Sequence, residues 1–328
     1  GGGRGAVRRT RRSPPRAAGG GTRMSTRQAR RDKALRELPL YVMLLPAVVL
    51  VAIYSYGSML GVTIAFQKFI PAVGFFGPQK WVGFQNFTTL FSMPNFWQII
   101  RNTVVIAVSK MIGHVVVPVA FALLLNEVRV RAAKRAFQTL VYLPNFLSWI
   151  ILAGILIDIL SPSEGFVNVM LSKIGITPIF FLGNARVFPV TMVVTDIWKG
   201  FGFGTIIYLA ALTSIDPGLY ESAMIDGANR WQQTWHITLT GISSTIVLMS
   251  VLSLANILNG GFDQIYNLYS PVVYSTGDIL DTFVYRLGIE QAQYSLSTAA
   301  GLFKSVVSMV FIIASYWMAD RFAGYRVF

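Results

Sequence analysis

The chain has 328 residues, of which 54% are hydrophobic and only 13% charged, with a formal net charge of +14 and a mean hydropathy of +0.56. Soluble domains lie well below that hydropathy, so the composition excludes an ordinary water-soluble fold. The absence of cysteine excludes disulfides, thiolate metal sites and a cysteine nucleophile, and the two histidines, His114 and His236, are too few and too far apart for a zinc site.

Residues 1–36 read as a basic tail, expected to be unstructured because charged, low-complexity segments bury too little apolar surface to fold. Residues 1–23 are rich in Gly and Arg and hold no apolar run, so they are not expected to act as a signal peptide. Met24 is a more natural start, which makes 1–23 an upstream extension; the functional alternative is a basic arm on anionic lipid or nucleic acid. Seven arginines lie in it, so without it the net charge falls from +14 to +7. The remaining positive charge reads as a membrane-orientation signal and not as a sign of nucleic-acid binding.

A helix needs about 20 mostly apolar residues to cross a hydrocarbon core. Six windows of that kind lie near 38–66, 99–125, 137–160, 188–213, 241–260 and 301–319. The fifth is the weakest, because Asn256 and Asn259 are polar and Gly260 and Gly261 end it. Backbone amides in lipid must be satisfied within a helix or a closed barrel. Continuous apolar runs lack the alternation a barrel strand requires, so the spans are predicted to be helices.

With the N-terminus in the cytoplasm, the inner segments hold twelve basic residues, Arg27, Arg30, Arg31, Lys33, Arg36, Arg129, Arg131, Lys134, Arg135, Arg230, Arg321 and Arg326. The longer outer segments hold six: Lys68, Lys80, Arg101, Lys173, Arg186 and Arg286. This bias predicts both termini inside and puts segment 214–240 in the cytoplasm.

Ionisable residues within spans are costly unless they face protein or water. In the fourth window Asp196 and Lys199 are three apart, a spacing that allows an intrahelical ion pair. They either neutralise each other and hold helices together or line the path of a polar solute. Lys110 and His114 in the second window raise the same two readings. Gly200, Gly202 and Gly204 superficially suggest a nucleotide loop, but inside an apolar window they point to close helix packing.

Segment 214–240 is polar yet patterned. Asp216 is a good N-cap, Pro217 suits the first helical position, and Gly227 suits the left-handed residue that closes a helix. The prediction is a helix of about ten residues, a sharp turn, and a second helical stretch from Ala228 into the fifth span. Tyr220 and Met224 fall four apart, as do Leu219 and Ala223, so an apolar face forms that rests on a partner, on the bilayer or on the chain's own bundle.

Farther on, segment 262–299 holds five tyrosines, 266, 269, 274, 285 and 294, and four acids against one Arg. It either contacts an external binding protein or caps the bundle. No Gly-x-Ser-x-Gly, His-Glu-x-x-His or Gly-x-x-x-x-Gly-Lys occurs. A membrane enzyme acting on lipid-linked sugars would need clustered acids, and the acids here are scattered. An ion-coupled carrier would show an internal repeat, and none is evident.

Glu221, Ala223, Gly227, Ile237 and Leu239 carry a resemblance. Their spacing is similar to the cytoplasmic coupling motif of permease subunits of ATP-binding-cassette importers: Glu-Ala-Ala, three residues, Gly, nine residues, then Ile-x-Leu-Pro. Two positions depart, Ser222 where Ala is usual and Thr240 where Pro is usual; the entry angle of the fifth span then depends on Gly241. Asn126-Glu127-Val128-Arg129, Tyr142-Leu143-Pro144-Asn145-Phe146, Ile197-Trp198-Lys199, Ile207 to Leu212, Asp216-Pro217 and segment 255–304 resemble the carbohydrate importers, particularly the oligosaccharide and aldouronate-type permeases. This likeness covers about residue 37 to the end.

The resemblance implies an all-α type I permease fold of six transmembrane helices, residues 37–328, with a coupling helix between spans 4 and 5. It implies a transport subunit of the cell membrane, not an enzyme, that forms half of a sugar path. Glu221, Ser222, Ala223, Asp226, Gly227 and Ala228 would meet the ATPase. The implied partners are a second permease, two ATPase subunits that bind ATP and Mg, and an extracytoplasmic solute-binding protein. Sugar recognition combines hydroxyl hydrogen bonds with aromatic stacking, so Asp196, Trp198, Lys199, Tyr208, Asn256, Asn259, Asp263 and Gln264 are the candidate path residues. Trp198 and Tyr208 also suit an interfacial aromatic belt.

Overall fold

The computed structural model describes residues 1–2, 26–254 and 258–323. The chain divides into two units, Gly1–Leu60 and Gly61–Phe328. In the first, α1 (Thr26–Val51) carries Pro39 and Pro46 and passes into a π-helical turn, Ala52–Tyr56. Prolines are tolerated in such a helix because local π and 3₁₀ adjustments re-satisfy the freed carbonyls. The helix starts at Thr26, so residues 26–36 are helical and not the unstructured tail expected from composition. Residues 3–25 of that tail lie outside the described residues.

In the second unit the helices follow in order: α2 (Gln85–Ser92), α3 (Phe96–Glu127), α4 (Arg131–Tyr142), α5 (Trp149–Ile159), α6 (Phe166–Lys173) and α7 (Phe188–Leu212). Then come α8 (Pro217–Ile225), α9 (Arg230–Gln233), α10 (Ser243–Leu254), α11 (Phe262–Leu268), α12 (Tyr274–Gly277), α13 (Leu280–Tyr285) and α14 (Tyr294–Ala323). A two-stranded antiparallel ribbon pairs β1 (Gln67–Lys68) with β2 (Lys80–Trp81).

Among the described residues four helices are long and apolar enough to cross a membrane: Glu37–Phe66, Phe96–Glu127, Phe188–Leu212 and Tyr294–Trp317. They match the first, second, fourth and sixth windows. The other two windows are bent pairs, Arg131–Phe146 with Trp149–Ile159 at 107° and Arg230–Gly241 with Ser243–Leu254 at 56°, which bring the count to six if each pair is one span. The third window is therefore broken. Pro144 sits in the 3₁₀ turn Leu143–Phe146, and Ser148 caps the next helix by accepting from the Ile151 amide at 3.3 Å. A hydropathy window averages over such a break because Leu143, Pro144, Phe146 and Leu147 keep it apolar despite Asn145 and Ser148.

Helix packing in lipid depends on close backbone approach and not on exclusion of water. The seam between α3 and α7 shows it. A Cβ at Gly113 would overlap the Ile197 side chain, and one at Gly200 would lie 2.7 Å from the His114 ring. A Cβ at Gly202 would overlap the Val141 carbonyl of α4. A Cβ at Gly204 would lie 3.3 Å from Pro118 Cγ, so all three glycines singled out in the fourth window lie at close helix contacts, as predicted. Three buried clusters knit the unit. Leu152 and Leu156 of α5 meet Phe188 and Met192 of α7 and Ile265 and Leu268 of α11. Phe96 and Ile99 meet Leu90, Leu280, Phe283 and Ala300. Val119 and Ala122 meet Tyr208, Leu212 and Ile242.

Candidate functional sites: a polar cavity and an exposed helical loop

A cavity of about 400 Å³ opens inside the second unit, lined by Ala107, Lys110, Met111, His114, Asp196, Met249, Leu252, Ser253 and Asn259. Lys110 and His114, one turn apart on α3, face Asp196 of α7. The carboxylate is 3.4 Å from Lys110 Nζ and 2.8 Å from His114 Nε2. Asp196 therefore pairs across helices, and the Asp196–Lys199 pair that spacing allowed is not formed. The ammonium of Lys110 also donates to the Gly260 carbonyl at 2.9 Å and to Gln264 Oε1 at 2.5 Å. Gln264 is fully buried and donates through Nε2 to the Met192 carbonyl and to Thr195 Oγ1, both at 2.8 Å. Gly261 has φ of +86°, a backbone conformation that favours glycine, and a Cβ there would lie 2.6 Å from Lys110 Nζ and push that ammonium from its place.

The structure brings Asp196, Asn259 and Gln264 together and disperses the other candidates. Lys199 donates to the Asn145 carbonyl at 3.2 Å and sits 5.4 Å over the Trp149 ring, so it braces the break in the third span. Trp198 is 43% exposed and does not line the cavity. Tyr208 is buried in the apolar cluster with Val119 and Ile242. Asp263 is exposed in the first turn of α11, where a carboxylate favours the helix dipole. Asn256 lies outside the described residues. Lys110, His114 and Ser253 complete the cavity. The first two were visible as membrane-embedded ionisable groups, whereas Ser253 gave no signal of its own.

The second site is the loop from Asp216 to Gly241. Asp216 caps α8, accepting from the Gly218 amide at 2.9 Å, with Pro217 in the first turn. The helix closes in a Schellman arrangement: Gly227 has φ of +78°, and the Ala228 amide donates to the Ala223 carbonyl at 2.9 Å. The second limb starts at Arg230 and not at Ala228, because Asn229 and Gln232 form a capping box. The Tyr220 hydroxyl lies 2.9 Å from Thr238 Oγ1 and ties the limbs together. Arg230 donates to Glu127, at the end of α3, at 2.6 Å. A cleft of about 490 Å³ lies between them, lined by Asn126, Tyr220, Ala228 and Thr238 among others.

Glu221, Ser222, Asp226 and Gly227 are exposed, and Ala223 and Ala228 are half-buried. Of the apolar face read from spacing, Leu219 and Met224 are exposed, while Tyr220 turns inward to Thr238. Ile225, Trp231 and Trp235 extend the exposed surface, with the two indoles stacked at 6.2 Å; the sequence reading missed them. No cluster of His, Cys, Asp or Glu able to hold a metal occurs among the described residues.

Residues 119–324 match the family of binding-protein-dependent transport system inner membrane components. The chain belongs to this family. Protein LplB of Bacillus subtilis is 40% identical over 88% of this chain and 90% of its own length. The polygalacturonan/rhamnogalacturonan transport system permease protein YteP of the same organism is 38% identical over 88% and 90%. A chain of a bacterial alginate transporter, crystallised with its periplasmic protein carrying an alginate pentasaccharide, superposes with a TM-score of 0.82 at 40% identity, covering 90% of this chain and 99% of that one. The chain is the permease subunit of an ATP-binding-cassette importer for sugars or oligosaccharides, with the type I permease fold, and it is a transport subunit and not an enzyme. The readings as a lipid-linked-sugar enzyme or an ion-coupled carrier are not favoured.

Proposed function

We propose that the permease forms half of the translocation path in a complex with a second permease and works by alternating access. Two ATPase subunits, which bind ATP and Mg, drive it from the cytoplasm, and an extracytoplasmic binding protein delivers cargo. The observation that carries this reading is the loop 216–241. It exposes Leu219, Met224, Ile225 and the stacked pair Trp231 and Trp235 on a hydrogen-bonded two-limbed frame, and a concentration of exposed apolar side chains marks a protein-binding face. Glu221, Ser222, Asp226 and Gly227 border that face, and Ala223 and Ala228 are small enough for close approach. The Arg230–Glu127 contact and the run into α10 link the loop to spans, so docking there moves helices. Both termini then lie in the cytoplasm, in accord with the basic-residue bias.

The cavity beside Asp196 presents ammonium, imidazole, carboxylate, amide and hydroxyl groups, the set that hydrogen-bonds sugar hydroxyls. Oligosaccharides bearing carboxylates are the first cargo to test: the cavity holds Lys110 and His114 against one carboxylate, and a similar transporter imports the acidic polysaccharide alginate. The experiment is purification of the complex in mild detergent with Glu221→Lys and Gly227→Val variants. The expected result is that the unaltered chain brings an ATPase in comparable amount and that both variants lose it and lose ATP-dependent uptake. Retention of the ATPase and of uptake in both variants would overturn the docking assignment.

A further inference from the structure

The polar cluster beside the cavity joins three elements that are distant in sequence. Lys110, 5% exposed, holds Gly260 and Gln264 from α3. Gln264 holds α7 through the Met192 carbonyl and Thr195. Residues 260–264, which enter α11 through left-handed Gly261, are thus pinned between two helices that are themselves packed tightly at Gly113 and Gly200.

We propose that Lys110 and Gln264 form a lock on segment 258–268 that opens in each transport cycle, its hydrogen bonds being taken over by cargo hydroxyls in the adjoining cavity. The proposal rests on the alternating-access reading. A permanent joint at this depth would be made at least as well by apolar packing, because desolvating an ammonium offsets most of what its ion pair returns. A polar joint has a different virtue. Sugar hydroxyls both donate and accept, so they can replace a carbonyl or amide at Lys110, and a hydroxyl at Gln264, with little net change in hydrogen bonding. Lys110 and Asp196 line the cavity directly, so cargo meets the lock at the Lys110 ammonium, with fully buried Gln264 behind it. Asn259, which lines the same cavity, accepts from Lys304 of α14 at 3.3 Å, and that ammonium also meets Asp281 at 2.5 Å. The fastening at Lys110 is therefore accompanied by a polar tie to α14 on the same stretch, and both Lys110 and Asn259 border the cavity.

The chain has no cysteine, so Thr195→Cys with Gln264→Cys introduces the only thiols of this subunit, at two positions whose native side chains are in hydrogen-bond contact. In vesicles holding the full importer, bridging the pair through disulfides with a short bis-thiosulfonate cross-linker is expected to reduce uptake more than tenfold, and reduction of those disulfides to restore it. Uptake unchanged in a fully bridged complex would overturn the lock. Lys110→Met provides an independent reading, with complex assembly checked by size-exclusion chromatography. It is expected to raise cargo-independent ATP hydrolysis several-fold while lowering uptake per ATP, with Lys110→Arg intermediate. Hydrolysis and uptake both at the unaltered level would count against it. Failure of alternating access is seen separately, as absence of ATP-dependent uptake by the unaltered complex.

Discussion

At the residue scale, two buried polar side chains behave in opposite ways. Tyr208 is 1% exposed and its hydroxyl has no hydrogen-bond partner among the described residues. Removing an orphaned hydroxyl while keeping the ring costs little, so Tyr208→Phe is expected to leave thermal stability in detergent equal or higher, whereas Tyr208→Ala should cost about 3–5 kcal/mol through the cavity it leaves. Asp278 is the contrary case. It is 2% exposed and fully engaged, with Arg286 on both oxygens at 2.5 and 3.1 Å and Thr282 Oγ1 at 2.8 Å. Burial by itself lowers the guanidinium pKa, but Asp278 outweighs it and holds Arg286 above its ordinary value. Asp278→Ala would leave a largely buried cation unpaired, a loss of about 3–5 kcal/mol, measurable as a fall in the melting temperature of the purified complex. Neither outcome was legible beforehand. Tyr208 read as an aromatic on a sugar path because a tyrosine between apolar residues looks the same in a core and in a cavity. Asp196 was legible as a costly charge, but its partners lie on another span, and spacing along one helix pointed to Lys199 instead.

At the element scale, the loop 216–241 was read nearly residue by residue because its signals are local: an Asp cap, a Pro in the first turn, a left-handed Gly. The second limb started two residues later than expected because Asn229 and Gln232 cap it together. The broken third span was missed for the reason that makes windows useful, since averaging that finds a span erases a turn within it. Gly202 is the sharpest test of the packed elements. A methyl there meets the Val141 carbonyl, a backbone atom that cannot swing aside, so Gly202→Ala is expected to reduce the yield of folded complex severely, while Gly301→Ala, where nothing lies within 4 Å, should be silent. Thr240→Pro is expected to keep uptake. The 56° bend already falls between Gly241 and Ser243, beside Ile215, whose Cδ1 would lie 2.8 Å from a Cβ at Gly241.

At the scale of the whole molecule, membrane class and window positions were legible because the bilayer imposes one length and one polarity on every span. The partners across spans were not, because Lys110 and His114 find theirs 82 to 154 positions further along the chain. Orientation has a direct test in a chain without native thiols. A single cysteine at Ser222 is expected to react with an impermeant reagent only from the cytoplasmic side, and one at Asn267 only from the outside; the reverse pattern would invert the proposed topology. The separation of those partners also bears on how the protein is made. His114 precedes Asp196 by 82 residues, which at roughly 5–20 residues per second is about 4–16 s of synthesis. During that interval α3 carries Lys110 with no counter-charge, at a cost of about 2.5–3.5 kcal/mol near the bilayer centre. The insertion machinery must therefore shelter the second span, or leave it shallow, until the fourth emerges.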